Sequence, residues 1–450
     1  MKPRNYQGTR DWLAEDVHLR QRVINTLIGV FQQFGFEPLE TPVIELKETL
    51  LDKYGEEGDR LMYTFLKGGD SLGLRYDMTV PLARVVAQHQ ANLVMPYRRY
   101  AIGPVFRADT PQKGRFRQFT QCDFDIVGIA SPLADAEVVA LNYFALTRLG
   151  FRNFTVQVCD RKLLDGMART IGATDQDQAL AILRAWDKIK KASREQIAQE
   201  LKEAGMNDEL IASFNRITDG LIEARESADP LGSVEKLFLD SERVAEDTKT
   251  LRSLVAYVER FGVPDTSYSI NPLLARGLTY YTGPIFETVV EEAQVGSITG
   301  GGRFDNLIET LGGPSLPATG SSFGLERLTA VMETLGISKP VRTKTQAYVA
   351  VFNPKDPKSV AKAIGLTAKL RERFNVELYE GTQPIGKQLQ IADRRGIPVA
   401  VFAGDEELAR GTTVVKDLSA PMTEKDKSTN QKEVLEKDLL RAVGTLLDRD

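Results

Sequence analysis

Residues 98–128, RRYAIGPVFRADTPQKGRFRQFTQCDFDIVG, constrain the fold of this chain more than any other stretch. Two strand-like runs flank a Pro/Gly turn, the pattern of an antiparallel hairpin. The turn and its approaches carry Arg107, Asp109, Gln112, Lys113, Arg115 and Arg117, which concentrates phosphate-binding groups on one short connection. In the second run Arg117, Gln121, Asp123 and Asp125 project to one face, and Cys122, Phe124 and Ile126 to the other. On a half-buried strand that alternation predicts polar side chains toward water and apolar ones toward a core. The hairpin becomes a site only when joined to two later arginine motifs.

Composition narrows what such a hairpin can serve. The chain has 450 residues, 42% hydrophobic and 27% charged, which is ordinary for a globular protein and leaves room for more than one domain. A formal charge of -4 supplies no bulk positive field, so any RNA contact must use local patches. Cys122 and Cys159 form neither a metal-knuckle spacing nor a disulfide framework. His18 and His89 are the only histidines, which argues against a zinc–histidine centre and a Ser-His-Asp hydrolase. The first residues lack an apolar secretory core and no uninterrupted apolar span follows, so the expectation is a cytoplasmic protein with no membrane segment.

Along the chain, Val17 to Gln33 has an amphipathic helical rhythm, and FGFEPLETPVIE follows as turn, strand and a Pro42-marked edge. Short strands lead into PLARVVAQHQ, where Pro81 suits a first helical turn. RYDMT, if extended, places Arg75, Asp77 and Thr79 on one face. After the arginine hairpin come a helix over DAEVVALNYFALTRLG and a strand at NFTVQVC. The texture between 168 and 236 is charged, helix-prone and Gly-poor, which reads as a small helical insertion. It divides a main domain into 1–167 and 237–336, the latter holding glycine-rich strand sequence and the strand-to-helix run SSFGLERLTAVMETLG. A linker at 337–345 leads to an αβ module over 346–450, whose last helix-like run is KEVLEKDLLRAVGTLL.

The charges suggest the chemistry. Arg107 and Arg115 flank the TPQKG turn, Arg276 opens RGLTYYTG, and Arg327 closes FGLER. A nucleoside triphosphate bound outside a P-loop needs several fixed cations, and planar guanidinium groups suit that need. The sequence has no G-x-x-x-x-G-K-[ST] cradle as an alternative.

These motifs resemble those of the histidyl-tRNA synthetases, a class II aminoacyl-tRNA synthetase family. PLETPVIE is similar to the dimer motif, GPVFRAD through QCDFDIVG to the second class motif, and GSSFGLERL to the third. LARGLTYYTGPIFE and GGGRFDNLI are similar to the two histidine-specific signatures. The resemblance spans almost the full length. It implies an α/β (α+β) fold, with an antiparallel-sheet catalytic core, a helical insertion and a C-terminal anticodon-binding domain. It also implies ATP with Mg²⁺ bridging its phosphates, L-histidine and histidine tRNA as substrates, no tightly bound organic cofactor, and a homodimer.

Residue by residue, the resemblance implies that Arg107 clamps the α-phosphate and Asp109 helps position the adenine end. Arg115 and Arg327 would hold the outer phosphates, with Arg276 at the reacting centre between α-phosphate and carboxylate. Asp77, Thr79 and Gln121 would hold the substrate amino group, Asp125 and Tyr281 would read its imidazole, and Tyr280 would join that pocket. A carboxylate can accept one imidazole N–H while a phenol satisfies the other nitrogen. Gln112, Lys113 and Arg117 would approach the tRNA acceptor end, while Lys387, Gln388, Arg394, Arg395 and Lys416 would offer a surface to its anticodon end. Two positions depart from the family forms: Thr279 replaces an aspartate, and Phe304 replaces a tyrosine. The alternative is a non-charging paralogue that regulates histidine biosynthesis. Retained phosphate-binding arginines and the C-terminal module argue against it.

Overall fold

The computed structural model describes the chain apart from residues 1, 52, 54, 113, 190, 277–279, 294–295, 339–340, 420–429 and 449–450; the side chains of 55–57 are likewise left aside. Lys113 and Thr279 therefore lie outside the described residues. Contacts divide the chain into two compact units, residues 1–11 with 20–338, and residues 12–19 with 339–450.

The strands of the larger unit are β1 (Glu37–Pro38), β2 (Ile44–Leu46), β3 (Thr64–Lys67), β4 (Asp70–Leu74), β5 (Tyr97–Phe106) and β6 (Gln118–Val127). They continue as β7 (Thr155–Asp160), β8 (Tyr268–Ile270), β9 (Pro284–Val289), β10 (Thr299–Arg303) and β11 (Ala318–Gly324). Among the described residues β2, β4 and β3 form a small antiparallel sheet. The rest form an eight-stranded sheet in the order β1-β5-β6-β11-β10-β9-β7-β8. From β5 to β7 every pairing is antiparallel, and only the two edge strands pair in parallel.

One face of this sheet is sealed by aromatic packing. Phe31, from the helix Ala14–Gln33, lies 5.3 Å from Phe124 and 6.2 Å from Phe323, ring centre to ring centre. Phe36 and Tyr100 join the same cluster. The helix Pro132–Leu149 begins at Ser131, whose hydroxyl accepts from the Leu133 amide, with proline at the next position. It ends at Gly150, whose φ of 96° only glycine adopts readily. Helices then follow one another from Arg161 to Arg260, so the texture read at 168–236 is the middle of a longer helical run.

RYDMT is not extended. It forms a turn, and Asp77 Oδ1 accepts from the amides of Thr79 and Val80 at 3.1 Å each, capping the helix Thr79–His89. Unsatisfied amides at a helix start attract a carboxylate more strongly than alternation holds a strand. The strand expectation for β6 also needs correction: Asp123 and Asp125 are buried nearly as deeply as Phe124 between them.

The smaller unit holds β12 (Ala347–Val349), β13 (Val376–Leu378), β14 (Val399–Phe402), β15 (Thr412–Asp417) and β16 (Gln431–Leu435), ordered β13-β12-β14-β15-β16. The helix Pro357–Arg371 packs Ala363, Leu366 and Leu370 against the sheet. KEVL, expected to begin a helix, instead pairs with β15 as an edge strand, and the helix starts at Leu439. Gln388 does not decorate the surface. Fully buried, it accepts from the Val351 amide and donates to the Val351 carbonyl, satisfying backbone that the sheet leaves open.

Candidate active site

The polar face of the large sheet opens into a cavity of about 730 Å³. Its walls come from the β5–β6 hairpin, the turns around Asp77 and Tyr281, the β10 glycines, and the start of the helix Leu325–Thr334. Arg107, Arg115, Arg276 and Arg327, spread over two hundred residues of sequence, all line it.

Each guanidinium is held differently. Arg107 lies over the ring of Tyr76 at 4.2 Å and that of Phe119 at 5.1 Å, with Nε donating to the Tyr76 carbonyl. Arg115 forms a two-point pair with Asp109, Nε to Oδ2 at 2.9 Å and Nη2 to Oδ1 at 2.8 Å. Asp109 thus aims the Arg115 guanidinium, a task the sequence reading did not assign it. Arg276 pairs with Glu287 at 2.9 Å and bonds Ser297, whose carbonyl also accepts from Arg327 at 2.8 Å. Burial lowers the pKa of Arg327, and the nearby charges of Arg276, Arg115 and Arg107 push it the same way. Cations gathered at one space are what a polyanion would neutralise.

The cavity lining is also acidic and aromatic. Asp77, Thr79, Gln121, Asp123, Tyr280 and Tyr281 belong to it, and Phe304 packs beside Tyr280 in an apolar cluster with Leu307 and Ile308. Gln121 donates to Ser322 Oγ at 2.9 Å, and its buried Oε1 has no hydrogen-bond partner among the described residues. Burial pushes the Tyr281 phenol up to about 12, so it stays a protonated donor at neutral pH. Asp125 does not line the wall directly. It sits beneath Gly320, where an added Cβ would stand 2.1 Å from its Oδ1. Gly300 and Gly302 leave room in the same way for Arg276 and Tyr281.

The hairpin turn closes through paired backbone bonds between Gln112 and Arg115. Arg117, expected near tRNA, is engaged inside the chain: Nε donates to the Asp109 carbonyl, Nη1 to that of Gln7, and the guanidinium lies over the Tyr6 ring. The sequence reading also missed Glu326. It accepts from the Thr120 amide and from Arg20, tying the last arginine motif to the hairpin. Its place next to Arg327 in FGLER was the available signal. Among the described residues no cluster of three His, Cys, Asp or Glu could hold a metal, and no helix is long and apolar enough to cross a membrane.

The sequence model described as histidyl-tRNA synthetase matches residues 8–328, and that of an anticodon binding domain matches 346–443. A histidine–tRNA ligase of Gloeobacter violaceus is 40% identical, over 93% of this chain and 95% of that protein. One from Christiangramia forsetii is 37% identical, over 90% and 93%. This chain belongs to the histidyl-tRNA synthetase family. The crystal structure of the histidyl-tRNA synthetase from Nostoc sp. PCC 7120 superposes with a TM-score of 0.80 at 27% identity, covering 99% of each chain. A Bacillus halodurans protein described as an ATP phosphoribosyltransferase regulatory subunit/histidyl-tRNA synthetase shares the fold, with a TM-score of 0.72 at 22% identity over 87% of this chain and 97% of that one. Membership of the family makes the antiparallel sheet with its C-terminal anticodon-binding domain the expected architecture, and it is the one observed.

Proposed function

We infer that this chain is a histidine–tRNA ligase: it joins L-histidine to ATP as histidyl-adenylate, releases pyrophosphate, and passes the histidine to its tRNA with release of AMP. The observation that carries this is one cavity lined both by Arg107, Arg115, Arg276 and Arg327 and by Asp77, Gln121, Asp123 and Tyr281. A carboxylate oxygen of histidine attacks the α-phosphorus, a new carboxyl–phosphate bond forms, and the bond to pyrophosphate breaks. Negative charge moves onto the leaving group, so cations already in place lower the barrier without reorganising.

Arg107 and Arg276 take the α-phosphate, while Arg115 and Arg327 take the outer phosphates. Asp109 acts by aiming Arg115 and helps bound the adenine end. Mg²⁺ would enter with ATP and supply positive charge to the leaving pyrophosphate; the cavity acids Asp109, Glu287 and Glu326 are already engaged by Arg115, Arg276 and Arg20. Asp77, Thr79 and Gln121 receive the amino group, while Asp125, Tyr280 and Tyr281 surround the imidazole. A substrate without matching N–H groups leaves buried polar atoms unpaired, so selection rests on hydrogen bonds more than volume.

Residues 1–167 and 237–336 form the catalytic domain, 168–236 the insertion, 337–345 the linker and 346–450 the anticodon-binding domain. Gln112 and Lys113 remain acceptor-end candidates; Arg117 supports the hairpin. The protein works as a cytoplasmic homodimer, which sedimentation across protein concentration tests. The deciding experiment is ATP–pyrophosphate exchange with a panel of amino acids. Exchange with histidine alone is expected; exchange with another amino acid but not histidine refutes the assignment. Removing 346–450 should weaken tRNA binding on filters while preserving much of the exchange.

A further inference from the structure

Arg99 stands behind the acid assigned to the imidazole, and phosphate chemistry does not account for it. It lies directly opposite Asp125 across the β5–β6 ladder and is completely buried. Its Nη2 pairs ionically with Asp125 Oδ2 at 2.7 Å, without hydrogen-bond alignment, and donates to the Met78 carbonyl at 3.1 Å. Nε and Nη1 make no hydrogen bond among the described residues. A guanidinium held this way carries a large desolvation cost, and a well-packed apolar side chain would often be at least as stable.

The charges around Asp125 show what the cation does there. Asp123 shares its face of β6, Asp77 approaches from the turn before the helix Thr79–His89, and Tyr281 from the turn before β9. Burial pushes Asp125 up to about 7 and Asp123 up to about 6, and for both Arg99 is the main opposing influence. Geometry separates the two oxygens of Asp125. Oδ2 meets Arg99, whereas Oδ1 lies against Gly320, a residue of the cavity wall whose missing side chain leaves it room.

We infer that Arg99 is a positioning residue for histidine selection: its guanidinium clamps Oδ2 of Asp125 and turns Oδ1 toward the cavity at Gly320, as the anionic acceptor for the substrate's imidazole N–H. This rests on the assignment of Asp125 under the proposed function. It makes Arg99 the reason a short, buried carboxyl can serve as that acceptor.

The test is histidine-dependent ATP–pyrophosphate exchange on the full chain, wild type first. Arg99→Met should raise the KM for histidine about tenfold to a hundredfold, the range for one charge-assisted hydrogen bond, and leave the KM for ATP unchanged. The ratio of variant to wild-type KM should be largest near pH 6 and shrink as pH rises, because the carboxyl without its cation loses its proton later. Arg99→Lys should recover part of the loss. In an Asp125→Asn background, Arg99→Met should add no further penalty. That double variant leaves no unpaired buried carboxylate at 125, so with Arg99→Lys it carries the test if the single variant does not fold. Additive penalties, a pH-independent ratio, or an equal rise in the KM for ATP would overturn the inference. Wild-type protein inactive with histidine would overturn the proposed function, and this inference with it; normal wild-type exchange with an unmoved histidine KM in Arg99→Met overturns this inference alone.

Discussion

Replacing Gly300 with alanine tests the placement of Arg276 without removing a charge. A methyl group there would stand 2.8 Å from Arg276 Cζ and 2.9 Å from Nη2, while ordinary van der Waals contact begins at 3.4 Å. The shortfall is about 0.6 Å, and the guanidinium must retreat by that much, straining its 2.9 Å pair with Glu287. A flexible side-chain end can move, so the fold should survive. Gly301 is the control. A Cβ there meets the Gly320 carbonyl at 2.1 Å and Ser321 Cα at 2.6 Å, backbone of β11 that cannot step aside. Removing one preorganised donor costs about a hundredfold to a thousandfold in kcat, and misplacement by about 1 Å roughly a hundredfold. A retreat of about 0.6 Å should therefore cost on the order of tenfold to fiftyfold. The assay is kcat for histidine-dependent exchange at saturating substrates, beside calorimetric melting. Gly300→Ala should melt within about 3 °C of wild type, while Gly301→Ala should lose more than about 5 °C or fail to fold. Wild-type turnover in folded Gly300→Ala would refute a role for Arg276's position in the reaction.

Arg327→Ala should raise the KM for ATP about tenfold and leave histidine binding unchanged, since it removes the charged contact proposed for the outer phosphates; equal losses for both substrates would count against that division. Asp160 caps the helix Arg161–Ile171 through the Lys162 amide, and burial pushes its carboxyl up to about 7. The folded state therefore keeps a proton that the unfolded chain releases near 3.8, so stability falls as pH rises between those values, by at most about 1.4 kcal/mol per pH unit. Asp160→Asn keeps the cap and removes the titration. Its melting temperature should gain on wild type from pH 5 to pH 8, and parallel curves would refute the shift. Gln388→Leu should destabilise the C-terminal unit by about 2–4 kcal/mol in denaturant unfolding, because it strips hydrogen bonds from both the Val351 amide and carbonyl. A change below about 0.5 kcal/mol would mean that water replaces them.

What the sequence determined by itself is what neighbours along the chain decide. The hairpin around TPQKG, the Ser131–Pro132 helix start and the Gly150 stop are local, set by turn geometry and end-group hydrogen bonds within a few residues. The arginine motifs were legible because their residue types already implied polyanion binding. The tertiary structure decided what each charge faces. Asp109 took Arg115, six residues away, but Glu326 took the Thr120 amide across 206 residues, and no spacing rule announces that pairing. RYDMT became a turn because the helix after it needed a cap. Gln388 went inside because Val351, 37 residues earlier, left backbone unpaired. Asp125 looked like a surface position on an alternating strand until the sheet buried both of its faces. Burial and long-range pairing are set by the whole packed core, where desolvation raises the cost of each unpaired charge, so a linear pattern carries the identity of the groups but not their partners.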